Sequence, residues 1–320
     1  PRQANKQKSW VPSFSLIKME VLMNNPNLWH IHELIFGYLD YDTVEICRKV
    51  CKSWKESLKR ISLIRFIQEF GDRSMERYRE GTVSTYIPGW KKAVLKYGAR
   101  ASIEDLQEVI GSLRRLVEYE REGECCHYPV HEAAKIGAVK LMEIILDTSF
   151  DLNARDYSGM TALHEACSYG RFETVKLMIN SSKDVSIDLN ARCHSYTDYG
   201  CTPLHFACKS VYIGGTETVE FMIKSSKDFG IDLNARNSIG STPLHWACED
   251  ASVEIVELMV KNWKELCIDI QAQDDDGVTP LDVTNWLHRY SSNKNLKNLK
   301  QIEEMLKNEY SKMDDAEQSD

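Results

Sequence analysis

A four-residue segment of this sequence recurs at nearly regular intervals, and the repetition constrains the fold more than any other feature. Leu-Asn-Ala-Arg occupies residues 152–155 and returns at 189–192 and 233–236, and Ile-Gln-Ala-Gln takes the equivalent positions 270–273. The spacings between successive copies are 37, 44 and 37 residues. Repeats of this length predict a stack of similar units, in which each unit covers the apolar face of its neighbour.

Each copy is followed by a glycine and a pattern typical of a helix start. The pattern is Thr-Ala-Leu-His at 161–164, Thr-Pro-Leu-His at 202–205 and 242–245, and Thr-Pro-Leu-Asp at 279–282. Glycine permits the positive φ of a turn, threonine caps the following helix, and proline suits the first helical position. A second amphipathic run comes next, so each unit is predicted to contain a turn and two helices.

This pattern resembles the ankyrin repeat, whose helix start is Thr-Pro-Leu-His. The resemblance implies an all-α fold in which residues 123–308 form a solenoid of about five helix-turn-helix units with β-hairpin tips. It also implies an interaction module that binds a protein substrate through the tips and the exposed face of each first helix. Seven helix positions are carried over to this sequence as substrate-binding residues: Glu165, Ser168, Tyr169, Phe206, Lys209, Trp246 and Glu249. Ser210 and Asp250, next to them in the chain, belong to the same predicted contact face. The tip positions are Asp156–Ser158, His194–Tyr199, Asn237–Ile239 and Asp274–Asp276.

Two aromatic residues stand out among these positions. Phe206 and Trp246 occupy equivalent places in adjacent units, so we expect them side by side on the concave face, where aromatic side chains often dominate binding. The alternative is that both rings pack against the neighbouring repeat, as large apolar side chains commonly do.

The 37-residue spacing exceeds the usual ankyrin period of about 33 residues. The four extra residues read Ser-Ser-Lys-Asp at 181–184 and again at 225–228. Because four residues form about one helical turn, they predict either a longer second helix or a longer loop. In the ankyrin pattern the recurring histidine bonds threonine and neighbouring backbone, which implies a structural rather than a catalytic role for His131, His164, His205 and His245.

The N-terminal part carries an apolar stripe over two or three short predicted helices in residues 25–60. A segment this short cannot bury the whole stripe internally, so part of it needs a partner, which is either the following segment or another protein. The stripe consists of Leu28, Ile31, Ile35, Leu39, Val44, Val50, Cys51 and Trp54.

This segment resembles an F-box. The match rests on Ile-Phe-Gly-Tyr-Leu-Asp at 35–40 and on Val-Cys-Lys-Ser-Trp at 50–54, whereas Pro26 and the residues up to His30 depart from the usual start. The resemblance implies that the stripe binds the Skp-type adaptor of a cullin-RING ubiquitin ligase while the repeats hold the substrate. The chain is then a non-catalytic receptor subunit, which acts by bringing a substrate lysine close to the conjugating enzyme.

The remaining segments have simpler patterns. A helix is predicted to start at Ser102, with Asp105 completing a capping box, and its apolar stripe must pack on something. We expect it to seal the N-terminal end of the stack or to couple the stack to the F-box. We therefore divide the chain into an N-terminal segment (1–24), the F-box (25–60), a helical connector (61–122), the repeats (123–308) and an acidic disordered tail (309–320). The stripe at 296–306 is the candidate seal for the other end.

Charge and composition exclude several functions. The net charge is −8, and residues 124–320 carry nineteen Lys and Arg against thirty-two Asp and Glu, a net charge of −13. Such a surface repels nucleic acid and favours a basic or neutral protein partner, although solubility alone also explains it. The absence of a long apolar run or a signal-peptide core predicts no membrane partner and a cytoplasmic or nuclear location. The ten cysteines are then expected to be reduced thiols.

No cofactor or metal site is predicted. The segments Cys47-x3-Cys51 and Cys125-Cys-His127 lack the paired spacing of a structural zinc site. Three hypotheses remain open: a receptor of a ubiquitin ligase, an ankyrin scaffold whose F-box-like helices only pack internally, and an enzyme within residues 61–122. The first requires an exposed stripe, the second requires it to be buried against 61–122, and the third requires clustered polar groups in a pocket. We favour the receptor.

Overall fold

The computed structural model of the chain describes residues 59–68, 89–121, 129–148, 150–156, 158–194, 200–209, 214–290 and 295–317. Within these ranges the regular structure is helical and no β-strand occurs, which confirms the all-α fold. A helical segment, 59–68, precedes helices α1 (Trp90–Arg100) and α2 (Ile103–Arg121). The repeats then supply α3 (Pro129–Ile136), α4 (Val139–Leu146), α5 (Ala162–Ser168), α6 (Phe172–Ser181), α7 (Pro203–Cys208), α8 (Gly215–Phe229), α9 (Pro243–Glu249), α10 (Val253–Leu266), α11 (Pro280–Tyr290) and α12 (Leu296–Glu317).

The helices from α3 onward form five antiparallel pairs that stack side by side. The first helices, α3, α5, α7, α9 and α11, make an inner row in which each helix contacts the next. The second helices, α4, α6, α8, α10 and α12, make an outer row in the same way. One apolar core runs between the two rows from α1 to α12, so each repeat is stabilised mainly by its neighbours.

The predicted helix starts are confirmed in detail. Thr161, Thr202 and Thr242 each precede an inner helix, and each forms a capping box with the histidine three residues later. Pro203 and Pro243 occupy the beginning of their helices, where a missing N–H costs no hydrogen bond. The sequence pattern therefore fixes where each inner helix begins and which face it turns to the core.

The two Ser-Ser-Lys-Asp segments adopt different structures. In the second repeat, α6 ends at Ser181, and the following residues form a loop. In the third repeat the same four residues lie inside α8, which continues to Phe229 and ends at Gly230 with φ 69°. Glycine adopts this left-handed conformation without strain, and its position sets where α8 stops. Both predicted outcomes, a longer loop and a longer helix, therefore occur.

Where the structure describes them, the tips between the helix pairs are turns closed by backbone hydrogen bonds, without regular β-strands. The N–H of Asn237, for example, donates to the carbonyl of Ser241 at 2.9 Å. Adjacent tips are also joined, because the N–H of His194 donates to the carbonyl of Ser158 at 2.9 Å. Gly159 lies at this junction with φ 68°, and a Cβ there would come within 2.6 Å of the His194 nitrogen. The described tips thus pack too closely for a larger residue at this glycine.

The asparagine of the recurring Leu-Asn-Ala-Arg segment ties each repeat to the next. Nδ2 of Asn190 donates to the carbonyl of Gly230 at 2.8 Å, and its Oδ1 accepts the N–H of Asp232 at 2.9 Å. Asn153 and Asn234 bond the following repeat in the same two ways. The recurrence of this segment predicted the repeats but not the role of its asparagine in joining them.

The N-terminal end of the stack is sealed as predicted. Helix α2 contacts both α3 and α4. It begins with reciprocal hydrogen bonds: the hydroxyl of Ser102 accepts the N–H of Asp105, and the Asp105 carboxylate accepts the N–H of Ser102, both at 3.0 Å. These bonds also hold the pKa of Asp105 below its usual range. A repeat that would otherwise expose an apolar end is therefore covered by this helix.

The segment 59–68 packs onto α1 and belongs to the same core. Ile64 and Ile67 are buried in the cluster that includes Trp90 and Val94 of α1. The Arg60 guanidinium donates to the carbonyl of Gly98 at 3.1 Å, so polar contacts accompany the apolar ones. Helix α1 in turn contacts α4 of the first repeat. The helical segment runs through the predicted boundary at residue 60 without a break.

The C-terminal end differs from the expected disordered tail. Helix α12 continues from Leu296 to Glu317, so residues 309–317 are helical. The reason is that residues beyond 308 still bond the stack: the Tyr310 hydroxyl donates to the carbonyl of Ile270 at 2.6 Å, and the Trp263 indole donates to Glu309 at 3.2 Å. As expected, the stripe at 296–306 closes this end, with Leu299, Ile302 and Leu306 buried.

Replacing Gly98 by leucine should detach segment 59–68 from α1. A Cβ at this position would lie 2.5 Å from the Ile64 side chain, which is buried and has little room to move. We expect Gly98→Leu to lower the free energy of unfolding by about 1–3 kcal/mol, a typical cost of overpacking. Amide hydrogen exchange should show that residues 59–68 lose protection.

The matched control is Gly111→Leu in the middle of α2. No heavy atom lies within 4 Å of a Cβ at Gly111, and the residue is exposed. Leucine should be tolerated there and should slightly favour the helix. Equal loss of protection at 59–68 in both variants would contradict the packing argument.

Replacing Asn190 by alanine should loosen the contact between the second and third repeats. It removes both hydrogen bonds and leaves the Gly230 carbonyl and the Asp232 amide without these partners. We expect a loss of about 1–3 kcal/mol in the free energy of unfolding, measured by urea denaturation. Asn180→Ala, at an exposed position of α6, is the control and should change stability little. Similar losses of stability in both variants would show that the asparagine hydrogen bonds between repeats contribute nothing special.

Candidate protein-binding surface

The seven substrate-binding positions predicted from the ankyrin pattern fall on the inner row and differ widely in exposure. All lie in α5, α7 and α9 or at the residue that ends one of these helices. Lys209 and Glu249 are exposed, Ser168 and Tyr169 are half-buried, and Glu165 is buried. The side chains most accessible to a partner at these positions are therefore charged.

Phe206 and Trp246 lie side by side as predicted, but the expectation that they are exposed is wrong. Their ring centroids are 5.8 Å apart, with an interplanar angle of 67°. Only 8% of Phe206 and 6% of Trp246 is exposed. The cause is that each ring packs edge-on against the histidine of the preceding repeat, His164 or His205, at 5.6 Å. The structure therefore agrees with the alternative, in which both rings pack against the neighbouring repeat.

A lysine covers part of the aromatic pair. Nζ of Lys209 lies 4.5 Å from the centroid of the Trp246 ring, within the range of a cation–π interaction. Asp250, one residue beyond α9, accepts a hydrogen bond from the Ser252 hydroxyl at 3.0 Å. Burial raises the pKa of Asp250, while the Ser252 hydrogen bond and the charge of Lys209 act in the opposite direction. The ankyrin pattern places Lys209, Trp246 and Asp250 on one face but does not predict this cation–π contact, which depends on how closely α7 and α9 approach.

The recurring histidines have the structural role that the ankyrin pattern implies. Nδ1 of His205 accepts the N–H of Thr202 at 3.1 Å. Nε2 therefore carries the hydrogen and donates to the Ser241 carbonyl of the next repeat, also at 3.1 Å. His164 makes the same pair of bonds, to Thr161 and to the Cys201 carbonyl. His131 and His245 likewise reach the backbone of the next repeat, through the carbonyls of Met160 and Val278.

His164, His205 and His245 are neutral near pH 7. Burial lowers the pKa of both His164 and His205 to about 4, because the charged ring loses its hydration. Burial likewise lowers the pKa of His245. The hydrogen bond from threonine needs a neutral ring, since a protonated Nδ1 could no longer accept the threonine N–H.

The predicted tip positions divide into two groups. The side chains of Asp156, Asn237 and Asp274 accept backbone N–H groups within their own turns at 2.8–3.1 Å and thus shape the tips. In contrast, the remaining group consists of exposed tip residues, and Ile239 is the most apolar of them, with 58% of its surface exposed. They are His194, Ser238, Ile239, Asp275 and Asp276. Among the described tip residues, the second group is the one available to a partner. The tip residues 195–199 and Tyr157 lie outside the described residues.

The cysteines of the inner helices are core residues. Cys167, Cys208 and Cys248 are fully buried, and burial raises the pKa of the Cys248 thiol to about 12. Burial also raises the pKa values of the other two thiols, so all three remain protonated near neutral pH. In the described ranges, no group of three or more His, Cys, Asp or Glu could hold a metal ion. Likewise, no helix among the residues described is long and apolar enough to cross a membrane.

The predicted adaptor-binding stripe, from Leu28 to Trp54, lies outside the described residues, so its exposure stays a prediction. The same holds for Cys47, Cys51 and the segment Cys125–His127.

Comparison with protein families agrees with this architecture. A model of ankyrin repeats matches three overlapping segments, 107–193, 130–237 and 211–284, which together cover more than half of the chain. The chain therefore belongs to the ankyrin-repeat family. A model of the F-box domain matches residues 29–66, so an F-box precedes the repeats. The F-box match thus ends inside the helical segment 59–68 that packs onto α1.

Individual relatives share shorter stretches. The chain is 36% identical over 108 residues to a probable E3 ubiquitin-protein ligase, XBOS32, of Oryza sativa subsp. japonica, covering 32% of this chain and 20% of that protein. It is 38% identical over 82 residues to the E3 ubiquitin-protein ligase XBAT33 of Arabidopsis thaliana, covering 25% and 14%. A homologue of transient receptor potential cation channel subfamily A member 1 from Caenorhabditis elegans is 36% identical over 84 residues, covering 26% and 6%. The chain thus spans a fifth or less of these relatives' lengths, and similarity to both ligases and a channel does not indicate a single activity.

Acid should destabilise the stack through the buried histidines. Each has a lowered pKa in the folded state, so the folded chain binds fewer protons than the unfolded chain below pH 6.5. Stability is then fully present above about pH 6.5 and is lost as the pH falls toward 4. Between pH 7.5 and pH 5, His164 and His205 should each account for a loss of about 2 kcal/mol in the free energy of unfolding.

The variant His205→Asn isolates this effect. It should be less stable than the wild type at pH 7.5 but should lose about 2 kcal/mol less between pH 7.5 and pH 5, as measured by urea denaturation. His194→Asn, at an exposed tip position, should keep the full pH dependence. If His205→Asn kept it too, the neutral buried ring would not be its source.

Proposed function

We propose that this chain is the substrate-receptor subunit of an SCF-type ubiquitin ligase. Its F-box docks on a Skp-type adaptor and, through the adaptor, on a cullin-RING ligase, while the ankyrin stack holds a protein substrate. The chain itself catalyses nothing and acts in the cytoplasm, the nucleus or both. The combination of an F-box with ankyrin repeats supports this function, because one module connects to the ligase and the other to the substrate.

The observation that carries the proposal is the contact between the end of the F-box match and the repeat domain. Residues 59–66 belong to that match, and Ile64 lies in the same apolar core as α1 and the repeats. A cation–π contact between Arg114 of α2 and Phe66, at 5.8 Å, adds a second attachment. An F-box joined in this way to the stack holds the substrate-binding face in a defined orientation to the adaptor.

A fixed orientation of the stack matters because a receptor accelerates ubiquitin transfer only by positioning the substrate. Holding a substrate lysine near the ubiquitin-charged enzyme raises its effective concentration and removes the entropic cost of their encounter. A long flexible connection would dilute this advantage, since effective concentration falls as the linker lengthens. The packing of segment 59–68 on α1 supports a short, stiff connection at this point of the chain.

The residues proposed for each contact differ in character. The adaptor is bound by the apolar stripe, in which Leu39 and Trp54 are central anchors. The basic residues between Arg48 and Arg60 complement an acidic adaptor surface. The substrate is bound by the inner face of the stack, where Lys209 and Glu249 are exposed. Two chemically distinct surfaces on one chain allow each to be disrupted without the other.

Adaptor binding is tested by a pull-down of the full chain with a purified Skp-type adaptor. We expect the wild type to bind and the double variant Leu39→Ala/Trp54→Ala to lose about 2–4 kcal/mol of binding free energy. Circular dichroism should show that the double variant keeps its helical content. A matched control, Lys209→Glu/Glu249→Lys, reverses two charges of the inner face and should bind the adaptor as the wild type does.

Absence of adaptor binding by a well-folded wild-type chain would reject the receptor function. It would leave an ankyrin scaffold without a ligase role as the better description. Equal binding by the wild type and the stripe variant would show that the adaptor is contacted elsewhere.

A further inference from the structure

In the third and fourth repeats, the protein places a cation of its own, the Lys209 ammonium, against the aromatic pair Phe206 and Trp246. Nζ of Lys209 lies 4.5 Å from the Trp246 ring centroid. Lys209 is exposed and Trp246 is only 6% exposed, so movement of the lysine side chain would uncover the part of the ring under its ammonium. Phe206 and His205 pack against Trp246 at 5.8 and 5.6 Å and hold the ring in place. The result is a rigid aromatic surface that already accommodates a positive charge.

Two carboxylates flank this ring. Glu249 and Asp250 follow Trp246 by three and four residues, so they lie on the same side of α9 and its end. Glu249 is exposed, and Asp250 is half-buried. Burial raises the pKa of Asp250, and the charge of Lys209 acts to lower it, so the ammonium lies close enough to this acidic group to interact with it. The position therefore combines a ring that attracts cations with nearby negative charge.

A comparable contact in the first two repeats is held more firmly. Nζ of Lys135 lies 5.4 Å from the centroid of the Tyr169 ring, but Lys135 also forms an ion pair with Glu132 at 3.8 Å and its side chain is mostly buried. The ammonium of Lys209 makes the Trp246 contact without any ion pair in the described part of the chain. Of these two lysines, Lys209 is thus the one that can leave its ring readily.

We propose that the Trp246 ring is a binding site for an arginine side chain in a basic segment of the substrate, which displaces Lys209. This inference rests on the proposed function, because it names the chemical class of the substrate that the stack holds. Charge complementarity supports the choice of occupant: Asp275, Asp276 and Asp282 of the adjacent repeat are exposed. Arg236 offsets part of this charge through an ion pair with Asp275 at 3.6 Å.

Arginine suits the site better than lysine. Its guanidinium is planar and weakly hydrated, so it stacks on an indole ring more readily than an ammonium does. Its N–H groups also point outward in the plane of the group and can donate to a carboxylate such as Glu249 while the face stays on the ring. Lys209, once displaced, returns to solvent on a flexible side chain and recovers its rotational freedom.

The test uses the full chain and two fluorescently labelled, capped peptides, tetra-arginine and tetra-lysine, with binding followed by fluorescence anisotropy. We expect tetra-arginine to bind more tightly than tetra-lysine. Lys209→Ala should tighten tetra-arginine binding about two- to fivefold, because it removes the competing cation from the ring. Trp246→Leu and Glu249→Gln should each weaken the binding.

Matched controls separate the site from net charge. Lys224→Ala removes the same charge from an exposed position of α8 on the outer row, and Glu254→Gln removes a negative charge from exposed α10. Neither should change tetra-arginine binding as the corresponding inner-face variant does. If Lys224→Ala tightened binding as much as Lys209→Ala, the effect would be general electrostatics and the site would be refuted. Failure of tetra-arginine to bind both the wild type and Lys209→Ala would refute it as well.

The Glu249→Gln variant keeps the test informative if the Trp246→Leu variant does not fold. Glu249 is exposed, so its variant should fold even if Trp246→Leu does not, and unchanged affinity in Glu249→Gln would count against the carboxylate contact. Peptide binding requires no adaptor, whereas the pull-down requires no substrate. A chain that binds the adaptor but not tetra-arginine would therefore reject only the arginine site and keep the receptor function.

Discussion

The stack depends on the hydrogen bonds of the buried histidines His164, His205 and His245 at the starts of α5, α7 and α9. Each accepts a hydrogen bond from the threonine before its own helix and donates one to the backbone of the next repeat, as His205 does to Ser241. One side chain thus fixes both the beginning of a helix and the position of its neighbour. The bond accepted at Nδ1 needs a neutral ring, which burial ensures. The starts of these inner helices and the spacing between their repeats, and with them the placement of the inner face, all follow from these histidine hydrogen bonds.

The buried histidines also explain the character of the inner face. Phe206 and Trp246 pack against the rings of His164 and His205 in the preceding repeats and help to shield them from water, and both aromatic side chains are mostly buried as a result. What remains accessible is the charged residues one turn further on, Lys209 and Glu249. Recognition by this surface therefore depends on charge set against a rigid aromatic support, rather than on exposed apolar area.

Local signals in the sequence predicted the helix starts and the repeat architecture, because threonine caps and proline act within a few residues. Features that depend on neighbours were not predictable in the same way. The segment Ser-Ser-Lys-Asp is a loop after α6 but helical in α8, where Gly230 sets the stop. The burial of Phe206 and the helical residues beyond 308 likewise result from packing between elements. Sequence spacing indicates which residues share a face, but not how much of that face a neighbour covers.

The isoleucine face of segment 59–68 has an evolutionary consequence. Modules that are joined by a loop can be exchanged by recombination, because neither depends on the other for its interior. Here the last residues of the F-box match supply Ile64 to the interior of the ankyrin module, and Gly98 leaves just enough room for it. A different F-box in this place would need a final helix whose side chains fit against Gly98 as Ile64 does. The two modules are therefore expected to have diverged together, with changes at Ile64 and Gly98 inherited as a pair.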